Sequence, residues 1–439
     1  MSGHGRLDYV VQPGGALLGT MRVPGDKSIS HRAILLGGVS EGTTRITGFL
    51  EGEDTLATLA AFSAMGVPIE RDGAVVTVHG RGLHGLEPAP DAIDLGNSGT
   101  AMRLMAGLLA GQRFDSVLTG DASLITRPMA RVMTPLNAMG ACVLGTDQQT
   151  APLRIKGGQP LQGIRYELPV ASAQVKSCVL LAGLYAEGDT EVVEPEITRD
   201  HTERMLEGFG YEVRRGASIA ITGGRPLSGS VIEVPGDISS AAFFLVGACI
   251  APGSKLTLEG IGINPTRDGV LRVLKAMGGD LTVRNQRRVG GEPVADIDVE
   301  ASTLSGIDIP PEWVPLALDE FPVLMVAAAA ANGVTTLTGA AELRVKESDR
   351  ITAIAEGLTR LGVRCETNAD GMVVHGGGLR AGTVSSFTDH RIAMAFSVAA
   401  LAASGPVTVE DCGNVATSFP DFVDLSQGAG LVLEERFAE

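Results

Sequence analysis

The most regular feature of this chain is an apolar run that recurs six times, opening on polar residues and closing on small ones. The six runs are DKSISHRAILLGG, NSGTAMRLMAGLLAG, ASAQVKSCVLLAGLYAEG, DISSAAFFLVGACIAPG, DEFPVLMVAAAAANG and DHRIAMAFSVAALAASG. Their bodies are apolar on every side of a helix, which predicts helices that are buried all round. At about 10–15 residues they are too short to cross a bilayer.

Each apolar run is followed by a strand-like segment and then by an amphipathic helix that ends on glycine. The strand-like segments are TRITGF, SVLTGD, TEVVEP, KLTLEG, TTLTG and PVTVED. The closing glycines are Gly66, Gly140, Gly210, Gly278, Gly362 and Gly430. Their period of roughly 70 residues exceeds the ~20–50 residues of a solenoid repeat, so each copy should be a small α/β fold of its own.

A larger duplication predicts where the domains meet. The motif V-P-G-D occurs at residues 23–26 and again at 234–237, each time after a strand-like stretch. Proline fixes φ and glycine permits unusual φ/ψ values, so both motifs are natural crossing points. We therefore predict two similar domains of three repeats each, comprising residues 25–235, and residues 1–24 together with 236–439. Two strands would join them, with the active site in the cleft between.

Composition narrows the class of protein. The 44% hydrophobic and 20% charged content is typical of a folded soluble chain. A net charge of −16, one Trp and four Tyr argue against nucleic acid as a partner. Five cysteines without a CxxC motif make disulfides and structural zinc unexpected. The N-terminus has no hydrophobic signal core, so we expect a cytoplasmic location.

The polar starts of the six apolar helices are candidate anion sites. A buried helix has unpaired N–H groups and the positive end of its dipole at its start. Basic residues stand at several of these starts, namely Lys27, Arg32, Arg103, Lys176, His390 and Arg391. If the helices pack in parallel, their starts face the same way. The alternative is that these polar residues are ordinary N-caps.

Two of the starts carry a more specific pattern. Ser28 and Arg32 are four residues apart and face the same way on a helix, with Lys27 at its tip. This trio suits one carboxylate and one phosphate. The segment Gly96–Thr100 is a turn bracketed by glycines, where backbone N–H groups can approach an anion closely. A simple capping turn is the alternative there.

Charged residues also recur just before the second helix of several repeats. Arg127 and Arg199 occupy this place in the second and third repeats, where a guanidinium can bind a carboxylate or phosphate with two hydrogen bonds. In the fifth repeat the run 344–350 places Lys346 and Arg350 four apart if it is helical, with Glu347 on an adjacent face. Glu347 could act as a general acid or base. Surface arginines and a solvated helix face are the alternatives.

Taken together, these motifs resemble the 5-enolpyruvylshikimate-3-phosphate (EPSP) synthase family. The matching segments are PGDKSISHRA, LGNSGTAMRL, SAQVKS, DEFP, LRVKESDRI, DHRIAM and TSFPDF, and the resemblance runs from residue 22 to 423. The resemblance implies an α/β fold of two similar domains, each of three βαβαββ repeats around parallel buried helices, an inside-out α/β barrel. It implies transfer of the enolpyruvyl group of phosphoenolpyruvate to the 5-hydroxyl of shikimate-3-phosphate, with release of phosphate, by an enzyme that is expected to be a monomer.

The resemblance also implies roles for individual residues. Shikimate-3-phosphate would be bound by Lys27, Ser28, Arg32, Ser172, Ala173, Gln174, Arg199, Asp319 and Lys346. Phosphoenolpyruvate would be bound by Lys27, Asn97, Gly99, Arg127, Gln174, Arg350 and Arg391. Proton transfer would fall to Asp319, Glu347 and Lys27, with His390 nearby. No metal and no organic cofactor is expected, and glyphosate is the expected inhibitor.

The chain departs from the family pattern in two places. Leu104 stands where many members have proline, and the segment 415–420 lacks a lysine that many members place before T-x-F-P. Gly99, which sensitive enzymes use, is retained. These features resemble a subgroup that is often less sensitive to glyphosate.

Two other functions are alternatives to enolpyruvyl transfer to shikimate-3-phosphate. UDP-N-acetylglucosamine enolpyruvyl transferase shares the fold but carries a catalytic cysteine shortly before an Arg-Pro pair, and residues 120–128 contain none. A non-catalytic anion-binding clamp could dispense with Glu347, Asp319 and Lys27, yet all three are present.

Overall fold

The computed structural model describes residues 6–438. The helices are α1 (Lys27–Val39), α2 (Glu53–Ala64), α3 (Gly99–Ala110), α4 (Ala130–Ala138), α5 (Ala173–Gly183), α6 (His201–Gly208), α7 (Ile238–Ile250), α8 (Gly269–Ala276), α9 (Phe321–Ala330), α10 (Arg350–Arg360), α11 (His390–Ala399) and α12 (Phe422–Ala429). The strands are β1 (Arg6–Val11), β2 (Leu18–Met21), β3 (Glu41–Thr47), β4 (Ile69–Asp72), β5 (Val75–Arg81), β6 (Ile93–Asp94), β7 (Ser116–Thr119), β8 (Cys142–Leu144), β9 (Leu153–Lys156), β10 (Arg165–Glu167), β11 (Asp189–Val193), β12 (Arg214–Arg215), β13 (Ile219–Thr222), β14 (Val231–Glu233), β15 (Lys255–Gly262), β16 (Asp280–Val289), β17 (Glu292–Glu300), β18 (Val334–Leu337), β19 (Arg364–Thr367), β20 (Met372–His375), β21 (Gly382–Ser385), β22 (Val407–Glu410) and β23 (Leu433–Ala438).

The chain forms two compact units. One consists of residues 25–234 with the short piece 289–292, and we call it the 25–234 unit. The other, the 235–439 unit, consists of the described chain up to Pro24, residues 235–288 and residues from 293 onwards. These bounds fall beside the predicted ones, while the piece 289–292 has no counterpart in the prediction.

The six apolar runs form the helical core of the two units. They are α1, α3 and α5 in the 25–234 unit, and α7, α9 and α11 in the 235–439 unit. Every residue of α7 is buried, and so is all of α9 except Ala330. Helix α3 packs on α5, and α9 packs on both α7 and α11. Within residues 6–438, no helix is long and apolar enough to span a membrane.

Small sheets cover these helices, and each sheet is built mainly from the strands of one repeat. In the second repeat the strand order is β6-β7-β9-β8, where β6 and β7 are parallel and the other neighbours antiparallel. The third repeat has the same arrangement, β10-β11-β13-β12. Because α3 or α5 links the parallel pair, each repeat is a βαβαββ unit.

Three repeats borrow a strand from elsewhere in the chain. The first repeat takes β14 as its leading strand, and β14 pairs in parallel with β3. The fourth takes β2, which pairs in parallel with β15. The sixth is completed by β1, which lies between β22 and β23. Both V-P-G-D motifs therefore follow strands that complete a distant repeat, β2 before the first motif and β14 before the second.

The closing glycines end the second helix of each repeat as the sequence predicts. Their φ values run from +79° to +118° at Gly66, Gly140, Gly210, Gly278, Gly362 and Gly430. A residue in the left-handed conformation just after a helix allows the last carbonyl groups of the helix to accept hydrogen bonds. Glycine adopts this conformation without the penalty of about 1–2 kcal/mol that other residues incur.

The packing of α3 on α5 depends on a glycine. A Cβ added at Gly107 would lie 2.2 Å from the carbonyl oxygen of Cys178. We expect Gly107→Ala to push the two helices apart and to lower the free energy of unfolding by about 1–3 kcal/mol. The control is Gly208→Ala in α6, where an added Cβ has nothing within 4 Å, and there we expect no loss. Urea midpoints followed by circular dichroism compare the two, and equal midpoints would contradict the prediction.

Candidate active site

The starts of the buried helices in the 25–234 unit are capped by their own side chains. Asp26 accepts a hydrogen bond from the Ile29 amide at 2.9 Å at the start of α1. Ser98 accepts from the Ala101 amide at 3.2 Å at the start of α3. Ser172 accepts from the Val175 amide at 3.4 Å at the start of α5. The N-caps weighed as an alternative are thus present, and the charged residues beside them are separate features of each start.

Arg32 is a buried cation surrounded by neutral oxygens. Its guanidinium donates to the Ser28 carbonyl at 2.9 Å, to Thr202 Oγ1 at 2.7 Å and to Ser177 Oγ at 2.8 Å. Burial, with the nearby Arg199 charge acting in the same direction, lowers the pKa of Arg32 to about 10 although several carboxylates oppose the shift. Among residues 6–438, no carboxylate lies within salt-bridge distance of it. An anionic ligand would supply the missing counter-charge.

Lys27 begins α1 close to Arg32, and it is half-buried. Its Nζ lies 2.5 Å from Asp54 Oδ2, so part of its charge is already balanced. His31, on the same helix, contacts Thr58 Oγ1 at 2.8 Å and Ser98 Oγ at 3.5 Å. Burial and the charges of its two cationic neighbours lower the pKa of His31 well below its usual value, so it is neutral.

The predicted turn before α3 is held by side-chain hydrogen bonds. Arg127 donates to Asn97 Oδ1 at 2.7 Å, and the Asn97 amide donates to Asp121 Oδ2 at 2.8 Å. Gly99 lies against two guanidinium groups, since an added Cβ would be 3.0 Å from Nη1 of both Arg103 and Arg127. The structure therefore brings Asn97, Gly99 and Arg127 together.

The start of α5 contributes the next group. Gln174 Oε1 accepts from Arg103 Nη1 at 2.8 Å, and its Nε2 donates to Thr100 Oγ1 at 3.0 Å, which joins α5 to the start of α3. Ser172 and Ala173 are half-buried at the same start. Arg199 is half-buried just before α6, near enough to Arg32 to affect its pKa.

Lys176 does not contribute to an open anion site, contrary to the prediction. Its Nζ lies 2.7 Å from Glu203 Oε1 and 3.1 Å from Glu194 Oε2. Its side chain is only 1% exposed. Two carboxylates already neutralise this cation, so it ties α5 to α6 through Glu203 and to the loop before α6 through Glu194.

In the 235–439 unit, the predicted residues form an ion-pair network around Arg350. Arg350 is fully buried and lies 3.1 Å from Asp319 Oδ1, 2.6 Å from Glu347 Oε2 and 2.8 Å from Asp389 Oδ2. Lys346 Nζ lies 3.2 Å from the same Asp319 oxygen. Although burial opposes the charge, the three carboxylates raise the pKa of Arg350. Asp319 and Glu347 are thus both paired with one buried cation, each at a different nitrogen of its guanidinium group.

The run 344–350 is not one helix, so the alternative of a solvated helix face, on which Lys346 and Arg350 would lie four residues apart, does not hold. A short 3₁₀ turn covers Ala341–Val345, and α10 begins only at Arg350, with Asp349 as its N-cap. Lys346 and Glu347 therefore lie in the non-helical segment between. Ion pairs to Asp319 and Arg350 orient them.

Asp389 is a residue that the sequence reasoning missed as part of this site. It is fully buried, binds Arg350 through both oxygens, accepts from Ser348 Oγ at 3.0 Å and caps α11 at the Arg391 amide. Burial alone would raise its pKa, but the Arg350 charge prevails and lowers it. The sequence signal that could have revealed it is its position just before a buried helix, because acidic residues in the same position also cap α1 and α7. His390 is buried beside it at the start of α11.

Arg391 completes this group. Its Nη1 donates to the backbone carbonyl of Asp319 at 3.1 Å, which links the start of α11 to the residues before α9. Each unit therefore gathers cations at the starts of its buried helices, and the 235–439 unit adds carboxylates that could exchange protons. This set of side chains is typical of the active site of an α/β enzyme that acts on small polyanions.

Comparison with known proteins identifies the family. The family model of EPSP synthase (3-phosphoshikimate 1-carboxyvinyltransferase) matches residues 11–425. A 3-phosphoshikimate 1-carboxyvinyltransferase of Alkalilimnicola ehrlichii is 62% identical over 440 residues, covering 99% of this chain and 98% of the relative. One of Methylococcus capsulatus is 60% identical over 429 residues, covering 97% and 98%. The chain belongs to the EPSP synthase family.

A solved structure agrees with this. The EPSP synthase from Acinetobacter baumannii has a TM-score of 0.89 and 55% identity, and the match covers 98% of this chain and all of the other. The predicted fold class, two α/β units of three repeats around buried helices, is confirmed. The matching family and the 62% identity to a 3-phosphoshikimate 1-carboxyvinyltransferase favour EPSP synthase over UDP-N-acetylglucosamine enolpyruvyl transferase.

The pairing of Asp389 with Arg350 predicts a pH-dependent stability. A carboxylate whose pKa is lowered by folding stabilises the protein above its unfolded pKa of about 3.9 and loses that contribution as the pH falls through the folded value. We expect Asp389→Asn to lower the free energy of unfolding by about 3–5 kcal/mol at pH 7. The difference from wild type should shrink below about pH 4.

Urea midpoints measured between pH 7 and pH 3 test this prediction. Asp424→Asn is the control, because Asp424 is an exposed carboxylate of the same unit. A wild-type advantage over Asp389→Asn that stays constant down to pH 3 would show that the charge of Asp389 is not the source of the stabilisation.

Proposed function

We propose that this chain transfers the enolpyruvyl group of phosphoenolpyruvate to the 5-hydroxyl of shikimate-3-phosphate and releases inorganic phosphate, as an enzyme of the shikimate pathway for aromatic amino acids. The observation that carries the proposal is membership of the EPSP synthase family over nearly the whole chain. The buried cations at the helix starts support it, since both substrates are polyanions.

The reaction requires one acid and one base but no redox step. The 5-hydroxyl of shikimate-3-phosphate adds to C2 of phosphoenolpyruvate and loses its proton, while C3 gains a proton and becomes a methyl group. The resulting tetrahedral intermediate then loses a proton from that methyl group and expels phosphate, which restores the double bond. Each correctly placed acid or base contributes about 10²–10⁴ in rate.

Residues of the 25–234 unit would bind the anionic groups. Arg32 suits the shikimate carboxylate because it is a buried cation whose hydrogen-bond partners are all neutral, with Ser28 beside it. Ser172, Ala173, Gln174 and Arg199 would bind the 3-phosphate. Lys27, Gln174, Arg127 and the Asn97–Gly99 turn would bind the phosphate of phosphoenolpyruvate.

Residues of the 235–439 unit would bind the carboxylate of phosphoenolpyruvate and the ring hydroxyls, and they would move protons. Arg350 and Arg391 would bind the carboxylate of phosphoenolpyruvate, and Lys346 with Asp319 would bind ring hydroxyls. Glu347 and Asp319 are the proposed proton carriers, and each is held by Arg350 in a fixed position. His390 and Lys27 would assist.

Further properties follow from the family resemblance. We propose that the enzyme acts as a monomer in the cytoplasm, without a metal, an organic cofactor or nucleic acid, and that glyphosate competes with phosphoenolpyruvate.

The direct test of the proposed reaction is a phosphate-release assay. Phosphate should appear only when both shikimate-3-phosphate and phosphoenolpyruvate are present, and its release with phosphoenolpyruvate alone would contradict the proposal.

Glu347 should affect turnover more than binding. Glu347→Gln keeps the size of the side chain and an oxygen for Arg350 but cannot carry the proton. We expect kcat to fall about 100-fold or more with little change in KM. Glu356→Gln is the control, because Glu356 pairs with Arg360 on the exposed face of α10. If KM rises sharply while kcat holds, Glu347 is a binding or structural residue.

Gly99 should set the response to glyphosate, which is longer than phosphoenolpyruvate. A methyl group at Gly99 would contact the guanidinium groups of Arg103 and Arg127 and fill this space. Wild type should be of intermediate tolerance, since Leu104 is buried in the following turn of α3 and the segment 415–420 contains no lysine. We expect Gly99→Ala to weaken competitive inhibition by at least about tenfold, equivalent to about 1.4 kcal/mol.

Inhibition by glyphosate against phosphoenolpyruvate, measured for wild type, Gly99→Ala and the remote control Gly208→Ala, tests this placement. Gly208→Ala should match wild type. Equal affinity for glyphosate in wild type and Gly99→Ala would show that the inhibitor does not occupy this turn.

A further inference from the structure

The fourth repeat keeps an arginine that the proposed function does not use. A Thr-Arg pair stands before the second helix of the second, third and fourth repeats, at residues 126–127, 198–199 and 266–267. Arg127 and Arg199 are proposed ligands of substrate phosphates. Arg267 occupies the same place before α8, but the proposed function gives it no substrate to bind. Its contacts therefore indicate the role of this arginine in the fourth repeat.

Arg267 is neutralised by the chain itself. It is 2% exposed, and its Nη2 donates to Ser239 Oγ at 2.7 Å and to Asp237 Oδ1 at 3.2 Å. The same nitrogen lies 3.6 Å from Glu320 Oε1, which also accepts from Ser239 Oγ. Asp237 and Glu320 are both buried. Two buried carboxylates already provide the negative charge that a substrate would bring, so this copy is closed to an anionic ligand.

This cluster joins the starts of two buried helices. Asp237 caps α7 by accepting from the Ser239 amide at 2.8 Å. Glu320 is the N-cap residue of α9, but its side chain makes no capping bond to that helix. It is directed to Ser239 and Arg267 instead. The start of α9 is therefore held to the start of α7 through Arg267 and its partners.

The residue next to Glu320 belongs to the proposed active site. Asp319 contacts Lys346 at 3.2 Å and Arg350 at 3.1 Å, and its carbonyl accepts from Arg391 at 3.1 Å. We infer that Arg267 is a positioning residue, which acts through Glu320 to hold Asp319 where it binds the substrate and exchanges a proton. This inference rests on the proposed function.

The first test is Arg267→Gln, compared with Arg272→Gln. Arg272 is the matched control, because it lies in α8 about one turn further on and makes a partly exposed pair with Asp268. We expect Arg267→Gln to lower kcat about tenfold or more while the KM for phosphoenolpyruvate changes less than about threefold. Arg272→Gln should stay within about twofold of wild type in both.

A double-mutant cycle distinguishes positioning from general structural support. In the Asp319→Asn background, with the residual rate followed at raised enzyme concentration, Arg267→Gln should cost less than about twofold. A structural defect would lower the rate by the same factor in both backgrounds. Since Arg267→Gln leaves two buried carboxylates without their cation, Glu320→Gln is the second variant. It keeps an oxygen for Ser239, and its effect on kcat should likewise disappear in the Asp319→Asn background.

The outcomes separate this inference from the proposed function. If wild type releases no phosphate from the two substrates, the proposed function fails and the role of Arg267 with it. If wild type is active but Arg267→Gln and Glu320→Gln match Arg272→Gln, or keep their full effect without Asp319, the inference is overturned and the proposed function stands. Loss of folded protein in both variants, judged by circular dichroism, would also overturn it, because the cluster would then be purely structural.

Discussion

A single constraint shapes both units: their central helices are apolar on every side. Such a helix can only be buried, as α7 is along all 13 residues. Its polar groups are then confined to its two ends, where backbone N–H and C=O groups lack partners within the helix. The strands and the second helix of each repeat cover the sides, so the starts are the places where charged side chains accumulate.

The two units satisfy this constraint with opposite charge arrangements. Arg32 in the 25–234 unit lies among neutral oxygens, and burial lowers its pKa. Arg350 in the 235–439 unit lies among three carboxylates, and they raise its pKa. A buried cation without a counter-charge is costly, so the first arrangement favours binding an anion. The second holds Asp319 and Glu347 in place for proton transfer.

The repeats also show how one position acquires different roles. Arg127, Arg199 and Arg267 all precede the second helix of their repeat, but their partners differ. Arg127 binds the Asn97 side chain beside an open turn, whereas Arg267 is enclosed by Asp237 and Glu320. The carboxylates that enclose Arg267 come from two other parts of the chain, Asp237 before α7 and Glu320 before α9.

The sequence by itself determined the repeats, the buried helices, the closing glycines and the family, because periodicity, turn residues and motifs are local properties of the chain. Only the tertiary structure decided which charges meet. It showed Lys176 neutralised by two glutamates, Asp389 bound to Arg350, and β14 completing the first repeat. Each of these depends on segments far apart in sequence coming together, and the charge of one residue does not reveal which distant partner will balance it.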